Sequence, residues 1–141
     1  MEIVQLKSAD ENVLADINVL LRQLSERIPL CTLELLERIV ESPATELWVV
    51  RDAGKIVSMG ELVIVLKPEG IIAQIEDVVT DESQRGKGFG RMISEKLIER
   101  ARARGARAIQ LSSRVDRVVA NALYQKLGFE QYETNSYRMK L

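Results

Sequence analysis

Gln84-Arg85-Gly86-Lys87-Gly88-Phe89-Gly90 separates two stretches of different periodicity. Before it, Ala73-Gln74-Ile75-Glu76-Asp77-Val78-Val79-Thr80 is β-branched and apolar enough to predict a buried strand. After it, Ile93, Leu97 and Ala101 recur every four residues with Met92 and Ile98 flanking them. That spacing predicts an amphipathic helix from Arg91 to Arg104, stopped by Gly105. A strand, a glycine-rich turn and a helix together make a cradle for phosphate. The first turn of a helix leaves several N–H groups unpaired and carries the positive end of the helix dipole. Glycines let that backbone approach an anion with no side chain in the way.

Two common phosphate loops do not fit. A Rossmann turn needs G-x-G-x-x-G with an acidic residue further on, whereas the spacing here is G-x-G-x-G and Gly105 lies near the acidic position. A Walker loop needs Gly-Lys-Ser/Thr after four intervening residues, and Lys87 is followed by Gly88. What does fit is Arg-x-x-Gly-x-Gly, filled by Arg85, Gly88 and Gly90. Downstream, Ala108 to Ser112 predicts a further strand, and Asn121-Ala122-Leu123-Tyr124-Gln125-Lys126-Leu127-Gly128-Phe129 holds a Tyr-x-x-x-Gly-Phe signature. Asn121 and Tyr124 sit three apart and share a helix face.

The two motifs, in this order and spacing, resemble the GNAT superfamily of acetyl-CoA-dependent N-acetyltransferases, over nearly the whole chain and least over its first 45 residues. The resemblance implies an α/β (α+β) fold with a mixed, mostly antiparallel central sheet, about four flanking helices and central strands that splay apart to admit the cofactor. It implies acetyl-CoA as co-substrate and direct transfer of its acetyl group to a primary amine of a small molecule or peptide. The backbone of Arg85, Gly86, Lys87, Gly88, Phe89 and Gly90 would supply the pyrophosphate donors, with charge from Arg85 and Lys87. Phe89 also suits the core. A backbone N–H at a strand bulge, matched here by Val78, Val79 and Thr80, would polarise the thioester carbonyl. Tyr124 would return a proton to the CoA sulfur, and Asn121 would contact the pantetheine arm. The alternative is a non-catalytic acyl-CoA-binding module, which needs the cradle but neither Tyr124 nor a carboxylate.

Amine acetylation also needs a base. At the reference lysine pKa only about 0.04% of an amine is neutral at pH 7. The chain has no histidine, so a side-chain base is a carboxylate, acting directly or through water. Glu76 is the first choice, with Asp77 expected on the opposite strand face and Glu61 on the preceding strand as a third candidate. Cys31 has no histidine to activate it and suits a small buried hydrophobe. No set of His or Cys ligands exists, so no metal is expected. Ser112-Ser113-Arg114 suits either the acceptor side or the cofactor entry.

The remaining chain is ordinary in composition, with 46% apolar and 29% charged residues, and 141 residues suit one domain spanning 1–141. No apolar run reaches the length of a membrane span, and a single cysteine suits a reducing cytoplasm. Net charge is −1, but residues 1–84 hold 7 basic and 16 acidic side chains, and residues 85–117 hold 10 basic and 3 acidic. The basic block has no interleaved aromatics, which disfavours a nucleic-acid partner, and Arg100, Arg102 and Arg104 suit a solvated helix face. A homodimer is possible, with no stretch marking its interface.

The other elements follow from pattern. Glu2 to Lys7 alternates as a first strand, and Asp10 caps a helix carrying Val13, Leu14, Ile17, Leu20, Leu21 and Leu24 inward. Thr32 caps a second helix that ends near Pro43. Leu47 to Val50 and Lys55 to Leu66 are strands joined at Asp52-Ala53-Gly54. Glu130 to Tyr132 and Tyr137 to Leu141 suggest a closing hairpin, in which Tyr132 and Tyr137 pack, as Trp48 does in its own strand.

Overall fold

The computed structural model describes all 141 residues. In chain order the elements are β1 (Glu2–Gln5), α1 (Glu11–Leu24), α2 (Leu33–Glu41), β2 (Thr45–Asp52), β3 (Lys55–Lys67) and β4 (Gly70–Thr80). A short 3-10 turn at Glu82–Gln84 leads to α3 (Phe89–Ala103), β5 (Ala108–Gln110) and α4 (Val118–Lys126). The five strands form one sheet in the order β1-β2-β3-β4-β5. All neighbours are antiparallel except β4 and β5, which run parallel because α3 carries the chain back over the sheet between them.

Local chemistry sets the element ends. Asp10 accepts a hydrogen bond from the Val13 N–H and Thr32 from the Leu35 N–H, so each helix starts where a side chain satisfies an orphan donor. The β2–β3 turn places Ala53 at φ 50° and Gly54 at φ 79°, the paired left-handed residues of a two-residue hairpin.

The sheet is covered on both faces. On one, α1 and α2 bury Ile17, Leu20, Leu21 and Leu36 against Leu47, Val49, Met59 and Val79. On the other, α3 buries Ile93, Leu97 and Ala101 against Leu62, Ile75 and Val78. Gly60 makes the α3 contact close. A Cβ there would lie 2.6 Å from Ile93 and 2.9 Å from Leu97, so only a glycine lets the helix settle on β3.

Three expectations fail. The closing hairpin does not form: residues 130–141 adopt no strand, and Tyr132 and Tyr137 are exposed rather than packed. No turn residue of the Gly or Pro kind lies between Glu130 and Ser136 to fold this segment back on itself. Second, two of the three helix arginines are not merely solvated. Arg100 reaches Glu46 Oε1 at 2.9 Å and Arg104 reaches it at 3.1 Å, while Trp48 Nε1 donates to Oε2 at 3.0 Å. Glu46 is only 4% exposed. Burial pushes its pKa up, but the hydrogen bonds from Arg100, Trp48 and Arg104 prevail and hold it at about 2. Part of the basic block is therefore spent on tying α3 to β2. The third failure lies in β4, at the candidate site.

Candidate active site

The alternation of β4 breaks at Asp77. Glu61 pairs with Glu76 and Met59 with Val79, so one residue on β3, Gly60, faces two on β4, Asp77 and Val78. Asp77 is the extra residue, held at φ 52°. Ile75 and Val78 both pack under α3, so the two residues between them, Glu76 and Asp77, are both left on the other face. The expectation that they point to opposite faces is thus overturned by a bulge. Asp77 and Val78 have no partner in the ladder with β3, whereas Val79 and Thr80 pair with Met59 and Ser58. The bulge lies at the start of the 78–80 stretch.

Three carboxylates now meet on the α1–α2 side. Burial raises the Glu61 pKa first, and the charges of Asp77 and Glu76 add to it, bringing it to about 7. Glu76 is raised by burial and then by Asp77, and Asp77 by burial. The loop between α1 and α2 stands over them. Its Cys31 thiol is pushed up by burial and by Glu61, so it stays protonated and unreactive. Asn18 clamps that loop, donating to the Cys31 carbonyl at 3.0 Å and accepting from the Cys31 N–H at 2.8 Å.

The other edge of β4 is open. β5 pairs only with Ile72, Ala73 and Gln74, so from Ile75 to Thr80 this edge has no strand beside it. That is the splay expected of the central strands. Arg117, the residue before α4, donates to the Val78 carbonyl at 3.3 Å within the opening. Tyr124 is 6% exposed and packs edge-on against Phe129 with ring centroids 5.9 Å apart. Burial raises its pKa above 10, against a smaller lowering by Arg117. The phenol therefore holds its proton at neutral pH. Asn121 donates to the Arg114 carbonyl at 3.0 Å, closing the loop that leads into α4. Within that loop Ser113 Oγ is buried without a hydrogen-bond partner.

The glycine-rich turn lies at the end of the same strand. Gly86 and Gly88 take φ of 82° and 85°, conformations that residues with a Cβ rarely adopt. Gly88 is the N-cap of α3, where no side chain caps the helix and no acidic residue occupies the first turn. The first helical bond runs from the Met92 N–H to the Gly88 carbonyl. Ahead of it, the backbone N–H groups of Arg85, Gly86, Lys87, Gly88, Phe89, Gly90 and Arg91 donate to no group of the chain. The Arg85 side chain folds back to the Thr80 carbonyl at 3.2 Å and Lys87 bonds Gln84 at 2.8 Å, so both cations border the turn. Phe89, the first residue of α3, is buried and acts as a core residue. A run of free amides at an uncapped, positive helix end has the donors and the polarity that a phosphate-bearing anion requires.

A profile of the acetyltransferase (GNAT) family matches residues 16–129. The chain belongs to that family. The GNAT acetyltransferases are acyltransferases with acetyl-CoA as co-substrate. Among relatives, a glucosamine 6-phosphate N-acetyltransferase from Trypanosoma brucei brucei is 31% identical over 137 residues, covering 92% of this chain and 91% of that one. An uncharacterized N-acetyltransferase from Methanocaldococcus jannaschii is 37% identical over 62 residues, only 27% of its own length. Among solved structures, a putative acetyltransferase from Agrobacterium tumefaciens superposes with a TM-score of 0.85 at 25% identity, covering 99% of this chain and 100% of that one. A Trypanosoma brucei acetyltransferase does so with a TM-score of 0.80 at 30% identity, covering 99% of each chain. The open β4 edge and the free amides are features that fit this GNAT co-substrate.

Nothing in the sequence marks Arg117 or Gln23. Gln23 on α1 donates to Asp81 Oδ2 at 3.1 Å and accepts from the Glu82 N–H at 2.8 Å, joining α1 to the segment that leads into the cradle. These contacts span 39 residues for Arg117 and 58 or 59 for Gln23, beyond the reach of any local pattern.

Proposed function

We propose that this GNAT acyltransferase moves the acetyl group of acetyl-CoA directly to a primary amine of a small molecule or peptide. The observation that carries the reading is the unbroken run of free amides from Arg85 to Arg91 beside the open edge of β4. A diphosphate on those amides leaves the thioester arm to run along β4 toward Val78 and Tyr124. Acetyl-CoA supplies an activated acyl carbon and a thiolate leaving group.

The chain's own residues have five tasks in this scheme. The cradle binds, with Arg85 and Lys87 adding charge. The unladdered N–H at the bulge, from Val78 with Val79 and Thr80 beyond it, polarises the carbonyl, a contribution typically worth about 3 kcal/mol. Glu76 accepts the amine proton, directly or through water, and Glu61 opposite it in the ladder shares that load as the carboxylate nearest neutrality. Tyr124 returns a proton to the sulfur, and its raised pKa keeps it a donor across the working pH range. Asn121 fixes the loop that borders the thioester arm. The three carboxylates favour an acceptor that arrives as an ammonium.

The first acceptor to try is an amino sugar phosphate, because the Trypanosoma relative named for glucosamine 6-phosphate aligns along almost the whole chain. No helix is long and apolar enough to cross a membrane, and the lone cysteine is compatible with a cytoplasmic setting. No metal is part of the scheme. The experiment is thiol release from acetyl-CoA against glucosamine 6-phosphate, other amines, amino acids, peptides and aminoglycosides, with calorimetry of CoA alone. Turnover on one acceptor class together with saturable CoA binding supports the reading. No CoA binding at millimolar concentration ends it, and CoA binding without turnover on any amine favours a non-catalytic module.

A further inference from the structure

Buried hydroxyls in this chain are satisfied, with one exception. Ser58 Oγ lies 2.8 Å from Thr80 Oγ1 and 3.2 Å from the Val79 carbonyl, and Ser94 Oγ donates to the Gly90 carbonyl at 2.8 Å. Ser113 Oγ is the only buried side-chain nitrogen or oxygen without a hydrogen-bond partner. An unpaired buried hydroxyl costs free energy, so the exception calls for a cause.

Its place in the fold supplies one. The last pair between β4 and β5 is Gln74 with Gln110, and three residues further along each strand come Asp77 and Ser113. Ser113 therefore stands across the splay at the level of the β4 bulge. Ile109 and Leu111 both pack with the core on the α3 side, and the same alternation carries Ser113 to that side. Tyr124 belongs to it as well, since its ring meets Phe129, which packs with that core. The backbone around Ser113 is held from α1, α4 and β4. Arg114 donates to the Leu24 carbonyl at 3.2 Å, and Asn121 Nδ2 and the Arg117 N–H donate to the Arg114 carbonyl at 3.0 and 3.1 Å. Arg117 in turn ties the loop to the Val78 carbonyl. A loop held this firmly around an unbonded hydroxyl presents that hydroxyl in one place.

We infer that Ser113 is a second hydrogen-bond donor to the sulfur that leaves acetyl-CoA, an inference that rests on the acetyl transfer proposed above. With the thioester carbonyl oxygen held by N–H groups of the bulge on β4, the sulfur on the same carbon is directed away from β4. It faces the wall that carries Ser113 and Tyr124. As the amine nitrogen bonds the carbonyl carbon, its proton passes to the carboxylate base, the C–S bond breaks and the electron pair goes to sulfur. Tyr124 gives that sulfur its proton. Ser113 keeps its own proton and donates a hydrogen bond that strengthens as charge builds on sulfur. A contact stronger in the transition state than in the ground state raises kcat rather than substrate affinity.

The test compares Ser113→Ala and Ser113→Thr with wild type. In Ser113→Ala, kcat falls about 10- to 100-fold, the worth of a hydrogen bond to a charged group, with KM for acetyl-CoA within a few-fold. Ser113→Thr, which keeps the hydroxyl, recovers most of the loss. The thiol of bound CoA, titrated through the ultraviolet absorbance of its thiolate, ionises about 1–2 pH units higher in the Ala variant. The free Ala variant melts no lower than wild type, because it has lost an unpaired buried hydroxyl. Unchanged kcat with an unchanged thiol titration overturns the inference and leaves acetyl transfer standing. A fall in kcat matched by a lower Tm, with the titration unmoved, reports a structural role and overturns it too. Wild-type protein that binds no CoA in calorimetry ends the transfer reading itself, so the two failures are told apart before any variant is made.

Discussion

Tyr124 can be tested by a conservative substitution and Glu61 by pH. Replacing Tyr124 by Phe removes the phenol proposed as proton donor while keeping the ring against Phe129. The expected outcome is a fall in kcat of about 10²-fold or more with CoA affinity within a few-fold of wild type, measured by thiol release and calorimetry. For Glu61 the pKa of about 7 lies above its unfolded value, so the folded protein holds an extra proton between the two. Its stabilising effect is full below the unfolded pKa of 4.5 and is lost as pH rises through 7. Glu61→Gln should therefore be more stable than wild type at pH 8 and indistinguishable below pH 4.5, read by thermal melts. If Glu61 shares the base, kcat/KM in wild type climbs through pH 7 and the Gln variant flattens that climb. Arg117 adds a third handle. Its loss should shift the alkaline limb of the profile upward, since its charge lowers the Tyr124 pKa.

At the scale of elements, the seating of α3 decides both stability and binding. Gly60→Ala forces a Cβ within 3 Å of Ile93 and Leu97, and overpacking of this kind costs about 1–3 kcal/mol, visible as a Tm lowered by several degrees. Gly88→Ala demands a left-handed alanine at the helix start, a conformation that costs about 1–2 kcal/mol. Because the strained turn is also the proposed anion cradle, CoA affinity should drop along with stability. Glu46→Ala leaves Arg100 and Arg104 without their carboxylate at the β2 junction, and loss of one partner of a buried pair costs about 3–5 kcal/mol. The Glu46 pKa is depressed, so its contribution is present above pH 4.5 and disappears as pH falls toward 2. Acid melts of wild type and Glu46→Gln should thus converge at low pH.

For the molecule as a whole, the legible parts were those with local signatures. Asp10 and Thr32 announced their helices, Asp52-Ala53-Gly54 its turn, and Gly86 and Gly88 the left-handed turn into α3, because caps and left-handed residues act within a few positions of themselves. The bulge at Asp77 was not legible. An extra residue is defined by what lies opposite, and Glu61 is 16 residues away. The Glu46 network escaped for the same reason, since Arg100 is 54 positions distant and an arginine on a helix looks the same whether it meets water or a carboxylate. Residues 130–141 were read as a closing hairpin and form no strand, because an alternating pattern reports the faces a strand would have and not whether a neighbour pairs with it.

Gln23 couples two sides of the proposed site. One amide side chain holds α1 to the two residues that open the path to the diphosphate loop. If the amine docks against α1, whatever stiffens one wall stiffens the other, and thermodynamic linkage makes that influence equal in both directions. Coenzyme A and the amine should then each raise the affinity for the other by the same factor. Gln23→Ala should bring that factor toward one, as calorimetry of each ligand with and without the other would show.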